Sequence, residues 1–157
     1  MRLYLVQHGD ALSKQTDPQR PLSEVGRRHV AAMGRLLASA GVRPTRVVHS
    51  GKRRAQQTAE LLAMAFAADS VVEAAAGLSP NDPVKPAAHM VASSSADTML
   101  VGHLPFMARL AGRLVTGDDE AEVVAFVPGT VLCLEPAAGD RWRVAWMVRP
   151  ELATREA

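Results

Sequence analysis

The 157-residue sequence predicts a three-layer α/β/α sandwich around a mixed, mostly parallel central sheet of about six strands. Two patterns carry this. Through residue 115, short apolar runs alternate with amphipathic helical stretches, the signature of parallel βαβ units. After residue 120 the helical period stops, and strand-like segments follow one another with only turns between them. The length fits one domain, expected over residues 1–150, with 151–157 as a C-terminal tail.

In chain order, Leu3 to Val6 is an apolar run read as a buried strand that delivers Gln7-His8-Gly9 to its carboxyl-end loop. Residues 12–22 are polar, and Pro18 and Pro21 keep them irregular. Ser23 is an N-cap with Glu24 in the first turn, where negative charge favours the helix dipole. Val25, Met33, Leu36, Leu37 and Ala40 recur at helical spacing, predicting one buried face, and Gly41 and Pro44 end that helix. A second strand, Val47-Val48-His49, leads into a helix from Lys52 to Ala67, with Ala55, Ala59, Leu62 and Phe66 on one face.

Val71-Val72 is a third strand, 77–83 a loop, and Val84 to Ala92 a short helix. Thr98 to Val101 is a fourth strand ending in Gly102-His103-Leu104-Pro105, before a helix carrying Phe106, Leu110 and Leu114 on one face. Strands are expected at Glu122–Val127, Thr130–Leu134 and Arg143–Val148. Strict alternation in the last would put Trp142 and Trp146 on the same side, as core residues.

Composition narrows the function classes. With 48% hydrophobic and 22% charged residues the chain is ordinary globular material. The net charge of +2 is built from 15 arginines and three lysines. Dispersed arginines suit small anions, because the planar fork grips two oxygens at once. They make no basic stripe, and only 4% of residues are aromatic, so no nucleic-acid partner is expected. The single cysteine, Cys133, lies in an apolar run and reads as a buried structural thiol in a reducing compartment. The apolar run after Met1-Arg2 is too short for a signal-peptide core or a membrane span. A cytoplasmic protein without a membrane partner, and a monomer, is expected.

Three loops at strand ends or helix starts carry candidate chemistry: His8, Arg53 with Arg54, and His103. In a parallel sheet such loops share one edge, so residues distant in sequence converge there. Arg54 is pointed, because a cation at a helix start opposes the dipole unless an anion is bound. There is no paired cysteine, no His-Glu-x-x-His and no carboxylate cluster, so no metal site and no cofactor are expected. His29, His49 and His89 read as structural.

Four segments in order resemble the motifs of the histidine phosphatase superfamily: Gln7 to Ala11, Arg20 to Gly26, Ser50 to Glu60, and Val101 to Pro105. The length and the Gly-His-Leu-Pro turn are most similar to its small bacterial branch, the SixA-type phosphohistidine phosphatases. The resemblance implies a phosphoglycerate mutase-like fold and a metal-independent phosphatase working through a phosphohistidine intermediate. It implies His8 as nucleophile, His103 as the second catalytic histidine, and Arg54 as a phosphate-binding arginine; Gln7, Gly9 and Arg20 are further candidates to bind the phosphate. The implied partner is a phosphohistidine-bearing protein or a small phosphorylated substrate.

Two positions depart from that pattern. Gln7 stands where the family usually has arginine, losing a charge-assisted contact worth roughly 1.5–3 kcal/mol, on the order of tenfold to a hundredfold in rate. Arg20 is the first candidate to replace it, and Lys52 or Arg53 the second. Gly51 replaces a common proline and should affect only loop stiffness. Residues 74–83 hold one carboxylate, Asp82, and no glutamate. Imidazole leaves more readily than an alkoxide, so a scarce acid favours a phosphoramidate substrate. Asp82 and Asp10 are the candidate acids; both also read as solvent-facing loop residues. Two alternatives stay open: a phosphatase of small phosphometabolites, and a phosphate-binding or regulatory module weakened at Gln7.

Overall fold

The computed structural model describes residues 1–66 and 69–154. The strands are β1 (Leu3–Gln7), β2 (Arg46–His49), β3 (Val71–Ala74), β4 (Thr98–Gly102), β5 (Val131–Pro136) and β6 (Trp142–Val148). The helices are α1 (Glu24–Ser39), α2 (Arg53–Ala65), α3 (Lys85–Ala92), α4 (Phe106–Thr116) and α5 (Pro150–Ala153). One six-stranded sheet runs in the order β3-β2-β4-β1-β5-β6. β1 to β4 are parallel, and β5 and β6 join antiparallel. This is the expected three-layer architecture.

Strand alternation divides the core in two. Leu3, Leu5, Val48, Leu100, Leu132 and Leu134 face one side, with Phe106, Leu110 and Leu114 of α4 and Val91 of α3. Tyr4, Val6, Val47, Met99, Val101 and Cys133 face the other, with Val30, Met33 and Leu37 of α1 and Ala55, Ala59 and Leu62 of α2. Both sides of β1 and β4 are covered, which explains why these strands read as unbroken apolar runs. Cys133 is fully buried, and burial pushes its thiol up to about 11, consistent with a structural role. Among the described residues, no helix is long and apolar enough to cross a membrane.

Several expectations are corrected. In α1, Ser23 caps the helix by accepting the Gly26 N–H, as read, but the buried stripe is Gly26, Val30, Met33, Gly34 and Leu37. Val25 and Leu36 are 42% and 38% exposed, because α1 meets α2 through its small residues; a Cβ on Gly34 would lie 2.9 Å from that of Ala65. α2 begins one residue after Lys52, its N-cap; Ala67 lies outside the described residues. Glu122–Val127 is not a strand. Val123, Val124 and Phe126 all pack on the α3–α4 side, with no alternation, and β4 and β5 already occupy both edges of β1.

The two tryptophans lie on opposite sides. Cys133 pairs with Trp146 while Leu134 pairs with Val144, so Ala145 is a bulge that shifts the phase of β6. Trp142 belongs to the α3–α4 side, and Trp146 packs on the α1–α2 side. Glu151 to Ala153, expected as tail, are helical in α5, and Ala153 packs on the α1–α2 core. Arg155, Glu156 and Ala157 lie outside the described residues.

Candidate active site

The carboxyl ends of β1, β2 and β4 meet at one edge of the sheet. Gln7 pairs with Gly102, and His49 with Val101, so the residues that follow these strands are neighbours. The His8 backbone is pinned from two sides: its N–H donates to Gly102 O at 2.9 Å, and its carbonyl accepts the Gly129 N–H at 3.1 Å. Gly9 and Gly26 are required by close approach. A Cβ on Gly9 would lie 2.7 Å from Val30 Cγ2, and one on Gly26 would lie 2.1 Å from the Asp10 carbonyl oxygen.

The His8 ring is nearly buried, and its Nδ1 lies 2.7 Å from the Gly9 carbonyl oxygen. A carbonyl only accepts, so the neutral ring carries its proton on Nδ1 and presents a lone pair at Nε2. Arg54 Nε donates toward that Nε2 at 3.3 Å. Burial, chiefly, pulls the His8 pKa down to about 4, with further lowering by Arg54 and Arg20 against opposing contributions from Gly9 and Asp10. The ring is therefore neutral near pH 7.

His103 lies beside it, the ring centroids 5.0 Å apart. Burial, then His8, Arg54, Lys52 and Arg20, pull its pKa down to about 3. Its Nε2 is 2.7 Å from Ser50 Oγ, while Nδ1 is buried with no hydrogen-bond partner among the described residues.

Arg54, which bonds His8, also lines a cavity of about 580 Å³ together with Lys14, Arg20, Lys52 and Arg53, with Gly51, Pro80 and Asn81 among the uncharged residues; the two histidines lie behind Arg54 and are not part of the lining. Among the described residues, no carboxylate lines the cavity. Elsewhere, Arg46 pairs with Glu73, Arg113 with Asp119 and Arg143 with Glu135. Among the described residues, no ion pair involves a cavity cation. Five unpaired cations on one wall, in a chain of net charge +2, repel one another until an anion arrives. Arg54 shows the tension, since burial and Arg20 both pull its pKa down.

Arg20 reaches the cavity from the 12–22 loop. Its Nε donates to the Leu12 carbonyl at 3.0 Å, and its backbone sits in the left-handed region at φ 46°. That conformation is uncommon for a residue with a side chain, and it is held by the Arg20 N–H donating to Asp17 O and by the Ala11–Leu22 bridge.

The other named residues lie around this centre. Gln7 alternates with His8, in phase with Leu3 and Leu5; it is 8% exposed, its Oε1 is buried without a partner among the described residues, and it does not line the cavity. Asp10 accepts from the Ser23 hydroxyl through its side chain and from the Ser23 N–H through its carbonyl, anchoring the start of α1. Asp82 Oδ2 accepts the Ser79 N–H at 2.9 Å and closes its own loop; it too is absent from the cavity lining. His49 Nδ1 accepts the Gly51 N–H. Among the described residues, no group of histidine, cysteine and carboxylate side chains could hold a metal ion.

Residues 3–78 match the histidine phosphatase superfamily (branch 1). None of the curated proteins matches the sequence. The fold is that of the protein histidine phosphatase SixA, solved in complex with tungstate, at TM-score 0.86 and 24% identity over 97% of this chain and 99% of that one. A SixA protein from Agrobacterium tumefaciens superposes with TM-score 0.78 at 24% identity, over 95% of this chain and 97% of that one. The mycobacterial glucosyl-3-phosphoglycerate phosphatase does so with TM-score 0.71 at 19% identity, over 92% and 96%.

Sequence reasoning missed two supporting residues, Ser50 and Thr58. Thr58 is fully buried; its hydroxyl accepts the Gly9 N–H at 3.0 Å and donates to the Arg54 carbonyl at 2.8 Å. One oxygen thereby joins the His8 loop to the helix turn carrying Arg54. The available signal was its position four residues after Arg54, where a threonine hydroxyl reaches back along the helix. Ser50 was signalled by its place between β2 and α2.

Proposed function

We propose that the protein is a phosphatase that removes phosphate from phosphohistidine on a phosphotransfer protein, through a phosphohistidine intermediate at His8. The observation that carries this reading is a neutral His8 whose unprotonated Nε2 accepts from Arg54, a residue that also lines a cavity walled by unpaired cations. His8 Nε2 attacks phosphorus; the new N–P bond forms as the substrate's N–P bond breaks, and the departing imidazole takes a proton from water. Water then attacks the phosphorus of phospho-His8, releasing phosphate and restoring the ring. Arg54 and Arg20 stabilise the charge on the phosphoryl oxygens. No step needs a metal.

The leaving group sets the substrate class. A departing alkoxide needs a proton from a placed acid, but Asp82 closes its own loop and Asp10 anchors α1. A phosphoramidate has less need of an acid. The open cationic wall suits a phosphorylated side chain presented by a protein.

The test sets purified protein, with and without EDTA, against a phosphohistidine protein, an aryl phosphate and a panel of sugar phosphates. Turnover of the phosphohistidine protein, insensitive to EDTA and with phosphate trapped on His8, is the expected result. Preferential turnover of sugar phosphates that Asp82→Asn abolishes would replace it with a metabolite phosphatase. Binding of phosphate without any turnover would leave a phosphate-binding module.

A further inference from the structure

Resting on the phosphatase reading, the two histidines can be compared atom by atom. His8 is fixed by donation from Nδ1 to the Gly9 carbonyl. His103 has no carbonyl at Nδ1; that atom is buried and unpartnered in a residue only 2% exposed. Among the described residues, the ring's one hydrogen bond is to Ser50 Oγ, 2.7 Å from Nε2. A hydroxyl has a single proton to give and two lone pairs to offer. Ser50 Oγ already accepts the Lys52 N–H at 3.3 Å, and its own proton has the Nε2 lone pair directly within reach.

We infer that Ser50 is a positioning residue that donates to His103 Nε2 and so fixes His103 as the Nδ1–H tautomer, a neutral donor held for a phosphoryl oxygen. In this arrangement the buried Nδ1–H is left without an acceptor in the resting site. An unpartnered buried donor is costly, and the seated phosphoryl group relieves that cost. The surrounding charges agree: Arg54, Lys52 and Arg20 all act on His103, so the whole wall offers donors to an oxyanion. Both histidines then carry their proton on Nδ1, one by giving a hydrogen bond there and the other by receiving one at Nε2. No proton is transferred by His103; it only donates a hydrogen bond.

The experiment is a ¹⁵N–¹H correlation spectrum of histidine-labelled, resting protein at pH 7, with His103→Gln used to identify the ring signals. The expected spectrum has His103 protonated at Nδ1. Ser50→Ala should add the Nε2–H form and lower kcat about tenfold with KM little changed, and Ser50→Thr, which keeps the hydroxyl, should restore both. Protonation at Nε2 in the wild type overturns the inference, as does a loss of kcat in Ser50→Ala with the tautomer unchanged. The spectrum needs no substrate, so an inactive wild type would refute the phosphatase reading while the tautomer was still decided.

Discussion

The loops after β1 and β4 place similar side chains at the same sheet edge by different means. The β1 loop is braced by backbone contacts from β4 and Gly129, by the close approach of α1 to Gly9, and by Thr58, and its histidine uses both ring nitrogens. The β4 loop holds a histidine with one nitrogen bonded and one buried without a partner among the described residues. A fully satisfied ring is fixed for attack in one direction, whereas a half-satisfied ring is completed by what it binds. The difference fits the proposed roles of His8 as nucleophile and His103 as donor.

Replacing each ring tests that contrast most severely. His8→Ala should lower turnover at least about a thousandfold and abolish the trapped intermediate, since no other group in the site presents a free nucleophilic nitrogen. His103→Gln should cost about a hundredfold, the scale of one lost transition-state donor, and still allow slow trapping on His8. Equal losses, with trapping abolished in both, would erase the distinction.

Next in size is the charge supplied from outside both loops. Arg20→Asn removes the cation while keeping a side chain that tolerates the left-handed backbone, and kcat/KM should fall about tenfold to a hundredfold. Gln7→Arg should change the wild type less than about threefold yet recover much of the loss when combined with Arg20→Asn, if Arg20 stands in for the missing arginine. A large gain from Gln7→Arg alone would show that nothing replaces it. Smaller again, Thr58→Val deletes the hydroxyl between the β1 loop and α2. It should lower stability by about 1–3 kcal/mol in denaturant unfolding and kcat by up to about tenfold, leaving the His103 tautomer as it was.

The gentlest perturbation is pH. His8 faces Arg54, Arg20, Asp10 and His103, and its pKa is lowered from 6.5 to about 4. Its ring, followed by NMR, should remain neutral through pH 6 and half-protonate near 4, and activity should follow the neutral form. Because the unfolded chain protonates these histidines first, their contribution to stability should be full above pH 6.5 and decline as pH falls toward 4 for His8 and toward 3 for His103. A ring titration near 6.5 would mean that His8 is not held as described.

Much of this was legible in the sequence, and the failures have physical reasons. Runs such as Leu3–Val6 and Thr98–Val101 read correctly as strands covered on both sides, and His8, Arg54 and His103 converge as the parallel order requires. The Glu122–Val127 segment failed because β propensity does not reveal whether an edge is free to pair. Val25 and Leu36 failed because α1 docks through glycines, which hydrophobic periodicity does not count. Ser50 and Thr58 each have a local hydrogen bond that their positions could signal, but their partners 53 and 49 residues away, His103 and Gly9, are not readable from local pattern.

The bulge at Ala145 has a practical consequence. By turning Trp142 into the α3–α4 layer and Trp146 toward Tyr4 and the α1–α2 layer, one edge strand carries a separate fluorophore for each half of the core. Proteins keeping only one of the two tryptophans would report the melting of each layer independently. Coincident curves would show that the layers unfold as a single cooperative unit.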